Sequence, residues 1–199
     1  MRAQTKRGRL SLPPPDTGAL ILAAGRSRRF GSDKRIHLLA DTIQRYQETF
    51  DHVRVVLRAD DGALLEQLGV SLRAGDSVVH AQDADLGMGH SLAAGVEGLT
   101  WTGLFVGLGD MPYVQRSTLL LLKEALESAV HPGIVRPYVA DQAGQPVGFT
   151  ADFLSELCAL EGDAGARQLI RRHADSVIRL QTDDSGVLDD VDTPDAVRR

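Results

Sequence analysis

Residues 18–34 read GALILAAGRSRRFGSDK, an apolar run that passes directly into a loop of glycines, serines and cations. The run Gly18–Ala23 lacks the polar alternation of a half-exposed strand, which is how a strand buried on both faces of a parallel sheet reads. A cationic loop behind such a strand lies at its C-terminal end, where open α/β sheets place their ligands. The short side chains of Ala23, Ala24 and Gly25 let a ligand approach the main chain, while Arg26, Arg28, Arg29 and Lys34 surround it with positive charge. The stretch reads as a triphosphate loop. It is not a Walker A loop, because five residues separate Gly25 from Gly31 and Ser32-Asp33-Lys34 stands where Gly-Lys-Ser/Thr would be. Nor does it contain the GxGxxG of dinucleotide-binding proteins.

The 199 residues, 43% hydrophobic and 25% charged, suit one well-packed domain. The net charge of -5 is unevenly spread: residues 1–35 hold nine Lys/Arg against two Asp, and the remainder is strongly acidic. That distribution argues against a nucleic-acid surface, which needs basic residues along a whole face, and favours a small polyanionic ligand. Residues 1–16, basic and ending near Pro13-Pro14-Pro15, read as a disordered tail ahead of a single domain over 17–199. No run approaches the roughly 20 apolar residues of a membrane span, so the expectation is a cytoplasmic protein without a membrane partner. The single cysteine, Cys158, sits in the pattern FLSELCAL and reads as a small buried hydrophobe.

Along the chain strands alternate with helices. Helix Asp41–Phe50 is followed by strand Val53–Leu57, helix Asp61–Leu68, strand Ser77–His80, helix His90–Leu99, strand Gly103–Leu108 and helix Arg116–Val130. Strand Gly133–Val139 leads through a turn at Asp141–Gly144 into an antiparallel edge strand, Pro146–Phe149. Helices Ala151–Leu160 and Gly165–His173, strand Ser176–Leu180 and a helix from Pro194 complete the reading. The fold class is α/β, a Rossmann-like three-layer α/β/α sandwich with a mostly parallel sheet.

Four further segments carry candidate chemistry. In Phe105–Tyr113, FVGLGDMPY, a strand ends at Gly109-Asp110, so Asp110 shares an edge with the cationic loop. A lone carboxylate there suits Mg²⁺, with Mn²⁺ as an alternative, since such ions complete their shells with water and substrate phosphates. In LGMGHSL, residues 86–92, Gly87 and Gly89 permit main-chain bonds to a base edge, and Ser91 reads mainly as a helix cap. LEGDAGAR, residues 160–167, is a glycine-rich turn in which Gly162, Gly165 and Arg167 would face an anion, with Asp163 as ligand contact or cap. In DDVDTPD, residues 189–195, Asp190 or Asp192 is the candidate second carboxylate for Asp110.

Taken in order, LAAGRSRRFGSDK, LGMGHSL, LGDMP, GQPVGF, LEGDAGAR and DVDTPD make residues 19–196 resemble the MobA-like nucleotidyltransferases, particularly the molybdenum cofactor cytidylyltransferase branch. The resemblance implies Mg²⁺-dependent transfer of a nucleoside monophosphate to a phosphorylated acceptor with release of pyrophosphate. It implies CTP as donor, a molybdopterin-type cofactor as acceptor, and a molybdenum hydroxylase as client of a monomer or weak dimer. Carried over by motif, Gly25, Arg28 and Lys34 would bind the triphosphate, Asp110 the metal, and residues 162–167 the acceptor. Ala24 favours a pyrimidine, because the guanylyltransferase branch reads LAGG where this chain reads LAAG. Two departures stand beside the site. Lys34-Arg35-Ile36-His37-Leu38-Leu39 replaces a Gly-x-Pro-Leu-Leu continuation, and Gly144-Gln145-Pro146 replaces Gly-His-Pro. They keep two other readings open: a cofactor-binding or insertion protein without activity, and a sugar-1-phosphate or other small-molecule nucleotidyltransferase using UTP or GTP.

Overall fold

A computed structural model describes residues 15–26 and 33–190. Its strands are β1 (Thr17–Leu22), β2 (Val53–Arg58), β3 (Ser77–Ala81), β4 (Gly103–Leu108), β5 (Ile134–Val139), β6 (Gln142–Ala143), β7 (Val147–Thr150) and β8 (Val177–Gln181). They form one mixed sheet in the order β3-β2-β1-β4-β7-β5-β6, with β8 also paired to β5. The ladders β3-β2-β1-β4 and β5-β8 are parallel, while β7 runs antiparallel to both its neighbours.

Alternation along the strands sorts the core into two layers. Ala19, Ile21, Val55, Phe105 and Val135 point to one face, against α1 (Arg35–Gln47), α2 (Leu64–Gln67) and α4 (Arg116–Glu127). Leu20, Leu22, Val106, Ile134 and Phe149 point to the other, where α3 (Met88–Val96), α5 (Leu154–Cys158) and α6 (Arg167–Arg172) supply Leu92, Val96, Leu157 and Leu169. Both faces of β1 are covered, which is why its six residues are all buried. The α/β/α sandwich expected from the sequence is therefore the fold. Among the described residues no helix is long and apolar enough to cross a membrane.

Several local readings are corrected. The segment expected at an edge, β7, is interior: Phe149 pairs with Leu104 on one side and Ile134 on the other. Its Gly148 makes room for the Phe105 ring, which a Cβ there would meet at 2.5 Å. Helix α1 starts at Arg35, six residues before the expected Asp41, because Arg35, Leu38, Leu39, Thr42, Ile43 and Tyr46 form a continuous buried stripe. Helix α2 is a single turn. The tight turn after β5 falls at Ala140-Asp141, and Gln142-Ala143 already pair back as β6. Cys158 is exposed rather than buried, since Phe153 and Leu157 take the inward positions of their helical turn. At the N-terminal boundary Asp16 is tied to the sheet, its N–H donating to Thr102 Oγ1 at 2.7 Å. Of the expected tail over 1–16, residues 1–14 lie outside the described residues, as does the helix from Pro194.

Candidate active site

A cleft of about 630 Å³ opens at the C-terminal ends of β1 and β4. Its floor is Leu22, Leu108 and Gly109, and its near wall is Ala23, Ala24, Gly25 and Arg26 from the end of β1. Lys34 and Arg35 enter from the start of α1, Asp110 from the end of β4, and Gly87, Met88, Ser91 and Asp163 from the opposite side.

Asp110 is held by main-chain geometry on both sides of Gly109. The Gly109 N–H donates to the Leu22 carbonyl at 2.9 Å, and the Gly109 carbonyl accepts from the Thr42 hydroxyl at 3.2 Å. So placed, the Asp110 carboxylate meets Lys34 Nζ at 2.5 Å, with side chains 21% and 17% exposed. Because both are partly exposed, the pair can open when a polyanion or another cation competes for either partner.

Beneath the loop lies a second ionic assembly. Arg35, 4% exposed, donates through Nη1 to the Ala23 carbonyl at 3.0 Å, through Nε to Asp33 Oδ1 at 2.8 Å, and also bonds Asp61. Arg58 joins from β2, with Nη2 3.0 Å from Asp61 Oδ1. Burial works against the Arg35 charge, but the bonds to Asp33 and Asp61 prevail and raise its pKa. Hydrogen bonds from Arg35 hold Asp33 below the usual carboxylate range. Burial pushes Asp61 up, yet bonds from Arg35 and Arg58 outweigh it and leave this group lowered as well. The network fixes the first carbonyl of the loop to α1 and β2. Nothing in the motif reading singled out Arg35. The signal was a charged residue on an apolar helical stripe, which demands a buried partner.

The glycines divide into two kinds. A Cβ at Gly87, whose φ is +129°, would strike the Gly162 backbone and lie 2.6 Å from Asp163 Oδ1; at Gly89 it would lie 2.6 Å from the Glu161 carbonyl oxygen. The Gly89 N–H donates to the Gly162 carbonyl at 2.7 Å. Segments 86–89 and 161–163 therefore pack main chain to main chain, and that contact requires Gly87 and Gly89. Gly25 differs: among the described residues nothing lies within 4 Å of a Cβ built there. Among the described residues, packing leaves the space beside Gly25 open on the cleft wall.

Of the residues singled out from sequence, Ala23, Ala24, Gly25, Arg26, Lys34, Gly87, Ser91, Asp110 and Asp163 line the cleft together. Ser91 is not a cap; it lies inside α3, 5% exposed, and Gly87 occupies the N-cap position. Asp163 is not a cap either, since Ala166 precedes α6. Arg26 is bound bidentately by Asp85, at 2.6 and 2.7 Å. Gly89, Gly162, Gly165, Arg167 and Asp190 are not on the cleft lining, and Asp190 is exposed. Arg28 and Asp192 lie outside the described residues.

A strand-borne carboxylate, a lysine and a glycine-opened main chain thus meet at one end of a mostly parallel sheet. The chain belongs to the MobA-like NTP transferase domain family, whose model matches residues 19–177. It is 32% identical to purine catabolism protein PucB of Bacillus subtilis (strain 168), over 90% of this chain and 95% of that one. Among solved structures it is similar to Rv0371c of Mycobacterium tuberculosis H37Rv, with TM-score 0.76 and 28% identity over 93% of this chain and 96% of that one. The same protein in complex with manganese superposes with TM-score 0.71 and 26% identity, over 91% and 95% of the two chains. A nucleotidyl transferase from Methanothermobacter thermautotroptrophicus shares the fold, with TM-score 0.74 at 19% identity over 90% of this chain and 93% of that one.

Proposed function

We propose that this protein transfers CMP from CTP to the phosphate of a molybdopterin-type cofactor, releasing pyrophosphate. The observation that carries the reading is the pairing of Lys34 with Asp110 across from the open main chain of Ala24-Gly25. Similarity to PucB and to Rv0371c, which has been crystallised with manganese, supports a metal-dependent enzyme of this family.

Asp110 already attracts a cation, Lys34 Nζ, at 2.5 Å, and among the described residues no group of three or more His, Cys, Asp or Glu is placed to enclose a metal. One carboxylate with open space beside it fits Mg²⁺ or Mn²⁺, which take most of their remaining ligands from water and phosphate. Asp110 would hold that ion, with Asp190 or Asp192 as the proposed second carboxylate. When bound, it supplies charge neutralisation at the α-phosphate and the departing pyrophosphate.

Lys34, drawn from Asp110 to the nucleotide, neutralises the triphosphate, joined by Arg26 once it exchanges Asp85 for phosphate and by Arg28. The acceptor phosphate is the nucleophile, so no side-chain nucleophile is needed, and the protein's part is alignment and electrostatics. Ala24, 5% exposed, lines the cleft wall, and a methyl at the position where the guanylyltransferase branch has glycine supports a pyrimidine donor. The proposed protein acts in the cytoplasm as a monomer or weak dimer and passes its product to a molybdenum hydroxylase.

A thermal-shift panel of CTP, UTP, GTP and ATP with and without Mg²⁺ or Mn²⁺ tests the reading. A ligand at about 100 times its Kd adds ~2.7 kcal/mol, or roughly 5–10 °C for a domain of this size. Metal-dependent stabilisation by CTP above the other three is expected. A larger response to UTP or GTP would reject the cytidine assignment, and no response to any nucleotide would favour a cofactor-binding protein without activity.

A further inference from the structure

The bond between Arg26 and Asp85 joins the two walls of the cleft. Arg26 ends the near wall behind β1, Asp85 sits in the short helical turn Ala84–Leu86 on the opposite side, and both line the cavity. Nε and Nη2 of the guanidinium lie 2.6 and 2.7 Å from the two carboxylate oxygens of a residue 59 positions away in the chain. In this fork-on-fork geometry a phosphate group can replace the carboxylate bond for bond.

Each wall has its own anchorage apart from this bond. On the near side the Ala23 N–H donates to the Val56 carbonyl at 2.9 Å, and the Ala23 carbonyl accepts from Arg35 at 3.0 Å. On the far side Gly87 and Gly89 pack main chain to main chain against 161–163. The Arg26 and Asp85 side chains are 47% and 62% exposed, against 5% and 8% for Arg35 and Asp61, so the pair is screened by salt and opens at small cost. A brace would be buried, as the Arg35 network is. This pair instead covers, with protein charge, the guanidinium of the residue that follows Gly25, on the wall where space stands open among the described residues.

We propose that Asp85 is an internal competitor for the triphosphate: in the ligand-free protein it holds Arg26 in the place of a phosphate group, and an incoming polyphosphate must displace it. This rests on reading the cleft as a nucleoside triphosphate site, and it gives a role there to Asp85, which lies outside every motif. Affinity is then reduced by the fraction of molecules in which the pair is closed. After transfer, Asp85 recaptures Arg26 from the departing pyrophosphate, so the same contact that weakens binding favours release.

The test is calorimetric titration of inorganic tripolyphosphate with Mg²⁺ into the full chain, a probe that carries the phosphates without a base and is therefore independent of the cytidine assignment. Asp85→Asn, which keeps the size and removes the charge, should bind it about three- to tenfold more tightly than the wild type at about 50 mM salt, and the advantage should shrink toward parity at about 500 mM. Arg26→Met should bind it more weakly, and in that background Asp85→Asn should lose most of its gain. Binding by Asp85→Asn where the wild type shows none would be the expected result in its strongest form. A gain that persists undiminished without Arg26 would trace the effect to general charge and overturn the proposal. Unchanged or weaker binding by Asp85→Asn would also overturn it, making the bond a clasp that closes on the ligand; the wild type still binds tripolyphosphate in these cases, so the triphosphate reading stands. Should neither protein bind tripolyphosphate, CTP, UTP, GTP or ATP, that reading fails and the competitor with it.

Discussion

Two ionic assemblies meet at the end of β1, and they are built in opposite ways. Beneath the loop, Arg35 and Arg58 face Asp33 and Asp61, with Arg35 and Asp61 side chains only 5% and 8% exposed. Facing the cleft, Lys34 pairs with Asp110, each about a fifth exposed. The first assembly has a partner for each charge and holds the Ala23 carbonyl in place. The second sits where a ligand can take either partner. Adjacent cations in the sequence are thus placed differently: Arg35 holds the start of the loop, and Lys34 lines the cleft.

The largest effect is expected at the open pair. Asp110→Ala should reduce nucleotidyl transfer about a thousandfold, as removal of a charge-stabilising group at a reacting centre does. It should move the urea midpoint little, because a partly exposed pair contributes about 1 kcal/mol or less. Pyrophosphate release and a denaturation curve on the same preparation check both halves. Near-normal turnover would remove Asp110 from the chemistry and leave the two assemblies differing only in exposure.

Arg35→Met should reverse that pattern. Deleting one partner of a buried cluster strands the other, at a cost of about 3 kcal/mol, so the urea midpoint should fall clearly. The acid limb sharpens the comparison. Asp33 and Asp61 are held below their ordinary pKa, so as pH falls the unfolded chain takes up their protons first. Their contribution is complete above about pH 4 and is lost as pH drops through the lower folded values. Wild-type stability should therefore fall steeply below about pH 4, and Arg35→Met should show a flatter slope there. Equal slopes would mean that the network does not couple protonation to folding.

Much of this was legible in the sequence, for identifiable reasons. An unbroken apolar run such as Gly18–Ala23 can be satisfied only between two helical layers, and β1 is buried throughout. Asp110 was legible because a strand ending in Gly-Asp brings its carboxylate to the same edge as the loop behind β1. What escaped depends on pairing across long separations. Val147–Thr150 looks the same as an edge or an interior strand until β4 and β5 are placed on either side of it. Arg35 looks like one more cation in a basic loop until Asp61, 26 residues on, closes over it. Gly87 and Gly89 suggested open main chain, whereas their contact with 161–163 could not be read locally.

The two kinds of glycine provide a smaller test of the same contrast between scaffold and ligand surface. Gly89→Ala would push a methyl against the Glu161 carbonyl and should cost about 1–3 kcal/mol of stability. Gly25→Ala meets no described atom, so its urea midpoint should stay near the wild-type value while CTP affinity falls about tenfold. Calorimetry and urea titration on both variants separate the outcomes. If Gly25→Ala lost stability and kept CTP affinity, the open space at Gly25 would belong to the scaffold.

The smallest expected effect bears on base choice. Ala24 packs with Leu22 and Val106 on the sheet face and also lines the cleft, so its single methyl belongs to scaffold and ligand surface at once. Ala24→Gly should cost about 1 kcal/mol of stability through added backbone freedom. Its informative readout is the ratio of kcat/KM for GTP to that for CTP. One methyl in a pocket discriminates by roughly 1–3 kcal/mol at most, and neighbouring atoms relax to recover part of that, so a rise of several-fold to about tenfold is expected. A rise through GTP alone would place the methyl against the base. An equal fall for both nucleotides would instead trace the methyl's effect to the loop's shape, and base choice would have to come from the far wall around Ser91 and Gly87.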